Sequence, residues 1–179
     1  KLSRRIEYLP SNSQLQERHA QGLGLSRPEL AVLLAYAKIV IKQDLLAEEL
    51  IDSAQWNGLL NQYFPPLLVE KFGEQLASHP LRREIIATML TNHVVNRFGI
   101  SSVYRLQEET EQPCSDIVAA LICAQDLLDG ETLALEIESQ DGKIPAASQL
   151  MMMLQVRRQT ERVARWLLQQ NMSREQLDH

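Results

Sequence analysis

Ser26-Arg27-Pro28-Glu29-Leu30-Ala31-Val32-Leu33-Leu34-Ala35-Tyr36-Ala37-Lys38-Ile39-Val40-Ile41-Lys42 is the stretch on which the reading of this fold turns. Ser26 and Glu29 stand three residues apart in the order of a capping box: the serine oxygen accepts from the Glu29 amide, and the carboxylate reaches back to the Ser26 amide. Pro28 suits the first turn, where amide groups have no helical partner to lose. The residues that follow are apolar nearly all the way round a helix, interrupted only by Lys38 and Lys42, four residues apart. A helix apolar on every side belongs inside a protein. The pattern predicts a helix over 27–42 as the central, buried helix of the domain.

Working outward, helix signals recur and no alternating strand pattern appears. Ser11-Asn12-Ser13-Gln14 reads as a helix start and Gly22 as a stop. Beyond the central stretch, one short helix follows Asp44 and another follows Asp52-Ser53. Pro65-Pro66 opens a helix ending near Ala77, and Pro80 opens a long one over 80–98 that Gly99 terminates. Ser101 or Ser102 caps a short helix to Thr110, and Pro113 precedes one that runs to Gly130. A further helix covers 131–139, and Pro145 starts the longest, to about Gln170. Ser173-Arg174-Glu175-Gln176 resembles another capping box, which points to a chain continuing into more helix. The expectation is all-α: an irregular multi-helix bundle of about eight to ten helices, forming a single domain over 1–179 with room for an N-terminal appendage over 1–22.

Composition narrows the function classes. With 179 residues, the chain can bury a real core without metals or disulfide staples. It carries a net charge of −5, opposite to the basic excess that phosphate neutralisation demands, so no nucleic-acid partner is expected. No apolar run approaches the roughly 20 residues that span a bilayer, and no signal peptide is read at the start. A cytoplasmic location without membrane contact is the expectation. Cys114 and Cys123 fall nine residues apart on one helix, a separation of roughly 13 Å along the axis and on opposite faces. A disulfide is excluded by that distance, and two buried, reduced thiols are expected.

Most motifs dissolve on inspection. Gly22-Leu23-Gly24-Leu25-Ser26-Arg27 lacks the third glycine and the preceding strand of a dinucleotide loop; a helix stop followed by a helix start accounts for both glycines. Asp116, Asp126 and Asp129 are too scattered for a magnesium-binding helix face. On the 80–98 helix, Leu81, Ile85, Ile86, Met89, Leu90 and Val94 define a broad apolar arc. Asn92, His93 and Asn96 fall inside it. Polar groups on a buried arc need partners. They either bond another helix of the same domain or form a candidate interface for a different domain. No nucleophile or oriented carboxylate is identifiable beside His93, so no catalytic, cofactor-binding or metal residue is assigned. Arg158, Arg162 and Arg165 form a stripe on the last helix, expected to be solvated, opposite Met152, Met153, Val156, Val163, Ala164 and Leu167.

Four strings, in order, carry a resemblance. They are Gly22 through Lys38; Tyr63-Phe64-Pro65-Pro66; His79-Pro80-Leu81-Arg82-Arg83-Glu84-Ile85-Ile86-Ala87-Thr88 with Asn96-Arg97-Phe98-Gly99; and, more weakly, Arg165-Trp166-Leu167-Leu168. Together they resemble the C-terminal helical region of the large NAD-dependent glutamate dehydrogenases of bacteria. The resemblance implies a parent enzyme that converts L-glutamate, NAD and water to 2-oxoglutarate, ammonium and NADH. The family's catalytic lysine and dinucleotide-binding unit lie upstream of this region, and nothing here matches either. Lys38 is accordingly given no catalytic role, and NAD is a cofactor of the parent alone. The implied role is structural, in domain docking or assembly, with the catalytic domain of the same chain and a homo-oligomer as partners. An autonomous helical protein-interaction module is the alternative; a helix-turn-helix nucleic-acid binder is disfavoured by the charge.

Overall fold

Both helix starts near the beginning of the chain form as read. In a computed structural model of the protein, residues 3–170 are described. Ser11 Oγ accepts from the Gln14 amide at 3.3 Å, while the Gln14 side chain accepts from the Ser11 amide at 2.9 Å; helix α1 (Asn12–Ala20) follows. Ser26 and Glu29 close the second box, and α2 (Arg27–Ala47) begins with proline in its first turn. Glu29 is also gripped by Arg18 at 2.8 Å. The Arg18 hydrogen bond, then the Ser26 amide, hold its carboxyl down at about 2.

Helix α2 corrects the sequence reading twice. It runs through Asp44 to Ala47, so no separate helix follows Asp44; Gln43 to Ala47 contains neither glycine nor proline to end it. Nor is it the central buried helix. Its buried residues are Ala37, Ile41 and Leu45, whereas Leu30, Leu34 and Ile39 are exposed. After α2 come two 3-10 turns, Leu50–Asp52 and Ala54–Trp56, then α3 (Asn57–Tyr63) and α4 (Pro66–Leu76). The long helix α5 spans Arg82–Phe98; Pro80 and Leu81 lie in the turn before it, and Leu81 is exposed rather than part of the apolar arc. Gly99 ends α5 with φ +84, a conformation that glycine adopts without strain.

The remaining helices are α6 (Ser102–Thr110), α7 (Cys114–Leu127), α8 (Gly130–Glu138) and α9 (Ala146–Gln169). Helix α7 stops at Leu127 instead of Gly130, because the chain turns through Asp129 at φ +47 and Gly130 already opens α8. Among the described residues there are nine α-helices and no strand. The Ser173–Gln176 signal lies outside the described residues.

The core centres on α5 and α7. Ile86, Ala87 and Val94 of α5, and Ile117, Val118, Leu121 and Ala124 of α7, are fully enclosed. Helix α9 packs along α7, α2 runs along α5, and α8 lies on α9. Helix α1 buries no residue. Both cysteines lie on α7, Cys114 buried and Cys123 only half-buried, so the expected pair of buried thiols holds for one. Burial, reinforced by the charges of Asp44 and Glu48, pushes the Cys114 thiol up to about 12. No described helix is long and apolar enough to cross a membrane.

Candidate functional site

Arg82 and Arg83 fasten the irregular connection between α2 and α3, whose carbonyls no regular ladder satisfies. Arg82 donates to the Ile51 carbonyl at 2.7 Å, to the Ser53 carbonyl at 3.0 Å and to Asn57 Oδ1 at 2.8 Å. Arg83 donates to the Leu46 carbonyl at 2.9 Å and pairs with Asp52. The Trp56 indole N–H donates to the Leu50 carbonyl at 2.9 Å, which holds the ring against the body. A flat guanidinium with five donors suits this work, since one side chain can bridge several carbonyls at once.

That connection and α7 line an open cleft, whose second lobe is also lined by α3, α5 and Glu131 of α8. The cleft has two lobes of about 500 and 450 Å³, both lined by Trp56, Ile122 and Asp126. His93 lines the second lobe. Its Nε2 lies 2.8 Å from Gln125 Oε1, and Gln125 Nε2 donates to Glu131 Oε2 at 2.7 Å. The carboxylate fixes which way the amide points, because only the NH2 end can donate to it. Gln125 therefore offers His93 an acceptor, and His93 Nε2 carries a proton. Arg97 continues the chain, pairing with Glu131 and donating to Glu138 at 2.8 Å. Asp126 stands at the cleft edge. Burial pushes its carboxyl up, against a smaller opposing pull from His93.

The three residues of the candidate interface thus divide. His93 joins α5 to α7, while Asn92 and Asn96 accept from Lys38 of α2 at 2.8 and 3.1 Å. All three bond within the domain; Asn96 also remains exposed. Lys38, which with Lys42 interrupts the apolar surface of the helix, faces α5. The arginine stripe of α9 is solvated at Arg158 and Arg162, whereas Arg165 pairs with Glu109.

A second polar cluster escaped the sequence reading. Glu161 of α9 is 8% exposed. It accepts from Ser102 at 2.9 Å, from Arg157 at 2.9 Å and from Arg105 at 2.5 Å, tying α6 to α9. Burial pushes its carboxyl up, yet the bonds from Arg157 and Ser102 and the charges of Arg157 and Arg105 hold it net below the usual range. The single Ser102 hydroxyl proton is shared between Glu161 and the Phe98 carbonyl. A side-chain carbon at Gly99 would come 3.0 Å from the tip of Arg157, which would have to give by a few tenths of an ångström; the positive φ is the stronger reason for glycine there. The available signal was the spacing of Arg157 and Glu161, four residues apart on a helix. Among the described residues Thr91 Oγ1 is the single buried side-chain polar atom without a partner, and nothing in the structure explains it. No group of three or more metal-ligating side chains occurs among them.

Three of the four strings read in the sequence meet in space. The Phe64 ring packs on His79 with centroids 5.4 Å apart, and edge-on against Tyr63 at 5.1 Å. Asn96 accepts from Lys38. Comparison with known proteins agrees. The chain is 37% identical to an NAD-specific glutamate dehydrogenase of Halomonas elongata and 38% identical to one of Pseudomonas aeruginosa, over 94% of its length in each case. One from Mycobacterium tuberculosis is 35% identical over 93%. In all three the match covers 10% of the relative, so the chain spans about a tenth of their length. The family model described as "Glutamate dehydrogenase, C-terminal" matches residues 22–179, nearly the whole chain, and the chain belongs to that family.

Proposed function

We propose that this chain is the architectural C-terminal domain of an NAD-dependent glutamate dehydrogenase, with no active site of its own. The parent enzyme converts L-glutamate, NAD and water to 2-oxoglutarate, ammonium and NADH in the cytoplasm, and its nicotinamide and substrate sites lie in the other nine-tenths of the polypeptide. This domain docks on the catalytic domain of the same chain and supports a homo-oligomer. The observation that carries the reading is the use of the cleft's polar groups. His93 is engaged by Gln125, Gln125 by Glu131 and Glu131 by Arg97, so each holds one helix to another. His93 Nε2 is committed to the Gln125 amide, so that side of the ring serves to tie α5 to α7.

Deleting residues 1–179 from the parent enzyme tests this. Nucleotide binding should persist, because its site lies elsewhere, while light scattering should show loss of the assembled species and glutamate oxidation should fall with it. Loss of nucleotide binding from an otherwise intact assembly would overturn the reading.

A further inference from the structure

The apolar stripe that seats α2 in the core does not stop where the core stops. At 100° per residue, Leu30, Leu34, Ala37 and Leu45 all lie within about 40° of Ile41 around the helix. Ala37, Ile41 and Leu45 are buried at 8%, 1% and 0% exposure, yet Leu30 and Leu34 on the same stripe are 44% and 38% exposed. The reason is length. Helices α2 and α5 run antiparallel, since Lys38 meets Asn92 and Asn96 while the Leu46 and Glu48 carbonyls meet Arg83. Counting back from Lys38, Leu34 is level with Phe98, the last residue of α5, and Leu30 lies a full turn beyond it. The first two turns of α2, about 12 Å of helix, project past the helix that covers the rest.

The described part of the N-terminal segment is tied to a different face of α2. Its ties to α2 are Arg18 to Glu29 and Glu7 to Tyr36, at 2.8 and 2.7 Å. Glu29 and Tyr36 lie about 120–140° around the helix from Ile41, so the segment takes the opposite face. Spacings of four, three and four residues from Leu30 to Ile41 are those of a helix-on-helix seam, in which each side chain enters a gap between residues of a facing helix.

We infer that Leu30 and Leu34 form a docking seam for an amphipathic helix belonging to the remainder of the parent polypeptide. This rests on the proposed function and names the partner of its docking role. The same polypeptide is favoured over a second copy for two reasons. A two-turn seam offers far less than the roughly 800 Å² per partner of a stable interface between separate molecules. A tethered helix needs much less, because its effective concentration is set by the linker, and about nine-tenths of each relative's length lies outside the matched region.

The test uses full-length enzyme carrying Leu34→Cys, modified with a maleimide benzophenone and irradiated, after light and heavy isotope-labelled chains have been mixed and reassembled. The expected product joins the labelled peptide to a peptide outside residues 1–179 in a chain of the same isotope. A light–heavy product would mean that a second copy covers the seam; a link confined to residues 1–179 would mean that the domain covers it itself, and no protein link that the seam is bare. Each outcome overturns the inference. In parallel, the double substitution L30E/L34E should lower the melting midpoint of the full-length enzyme by several degrees, whereas a bare face would leave it unmoved. If deletion of residues 1–179 disrupts assembly but these two results are negative, the seam alone fails. If the deletion is also silent, the proposed function fails with it.

Discussion

Replacing Glu161 with alanine removes the acceptor that joins α6 to α9. The Glu161 side chain is 10% exposed, Arg157 27% and Arg105 39%, so a deeply placed carboxylate faces two arginines that reach water. Removing one partner of a fully buried pair costs about 3–5 kcal/mol. Both arginines can rehydrate here, and Ser102 keeps the Phe98 carbonyl, so the expected loss is about 2–3 kcal/mol. For a domain of this size that lowers the thermal midpoint by about 5–10 °C. Arg165→Ala removes a partner of Glu109 from a pair that is one-third exposed on both sides, and should cost about 0.5 kcal/mol. Urea melts followed by circular dichroism would measure both. The sign with pH is fixed by the direction of the Glu161 shift. Its folded carboxyl sits below the ordinary range, so the stabilisation is full above that range and disappears as pH falls through the lower folded value. The gap between the wild-type chain and Glu161→Gln should therefore narrow on acidification. A Glu161→Ala loss no larger than that of Arg165→Ala would refute the reasoning.

Ile86→Ala, at a fully enclosed position of α5, should cost about 2–5 kcal/mol, and Ser26→Ala about 1 kcal/mol through the lost cap; denaturant melts giving the reverse order would remove α5 from the centre of the fold. Asn96→Leu deletes one of the two asparagine acceptors of Lys38 and should leave the isolated chain within about 1 kcal/mol of wild type. If Asn96 also contacts another domain, light scattering should show weakened full-length assembly; a destabilised fragment with normal assembly would exclude that contact. The Cys114 thiol, buried and pushed up to about 12, should resist iodoacetamide at pH 8 in the folded chain; alkylation at the rate of the unfolded chain would contradict its burial.

Local signals gave the helix positions because they are local. Ser26 with Glu29, the Pro65-Pro66 pair and Gly99 act on the nearest turn, and each does what its chemistry requires. The errors arose where neighbours decide. Asp44 looked like a helix start, yet with good helix formers on both sides the backbone simply continues. The all-round apolarity of α2 implied burial, but periodicity records which face wants cover, not whether a helix within reach is long enough to provide it. The polar set on α5 was legible as needing partners; that Lys38 and Gln125 are those partners depends on how three helices cross. Arg157, standing beside the arginine stripe, turns inward to Glu161, a choice set by α6 overhead.

The central claim is that this domain serves a dehydrogenase without holding its nicotinamide site. Titration calorimetry of NAD into the purified 179-residue chain tests it most directly. The account predicts no heat of binding beyond dilution; stoichiometric binding at micromolar affinity would contradict it.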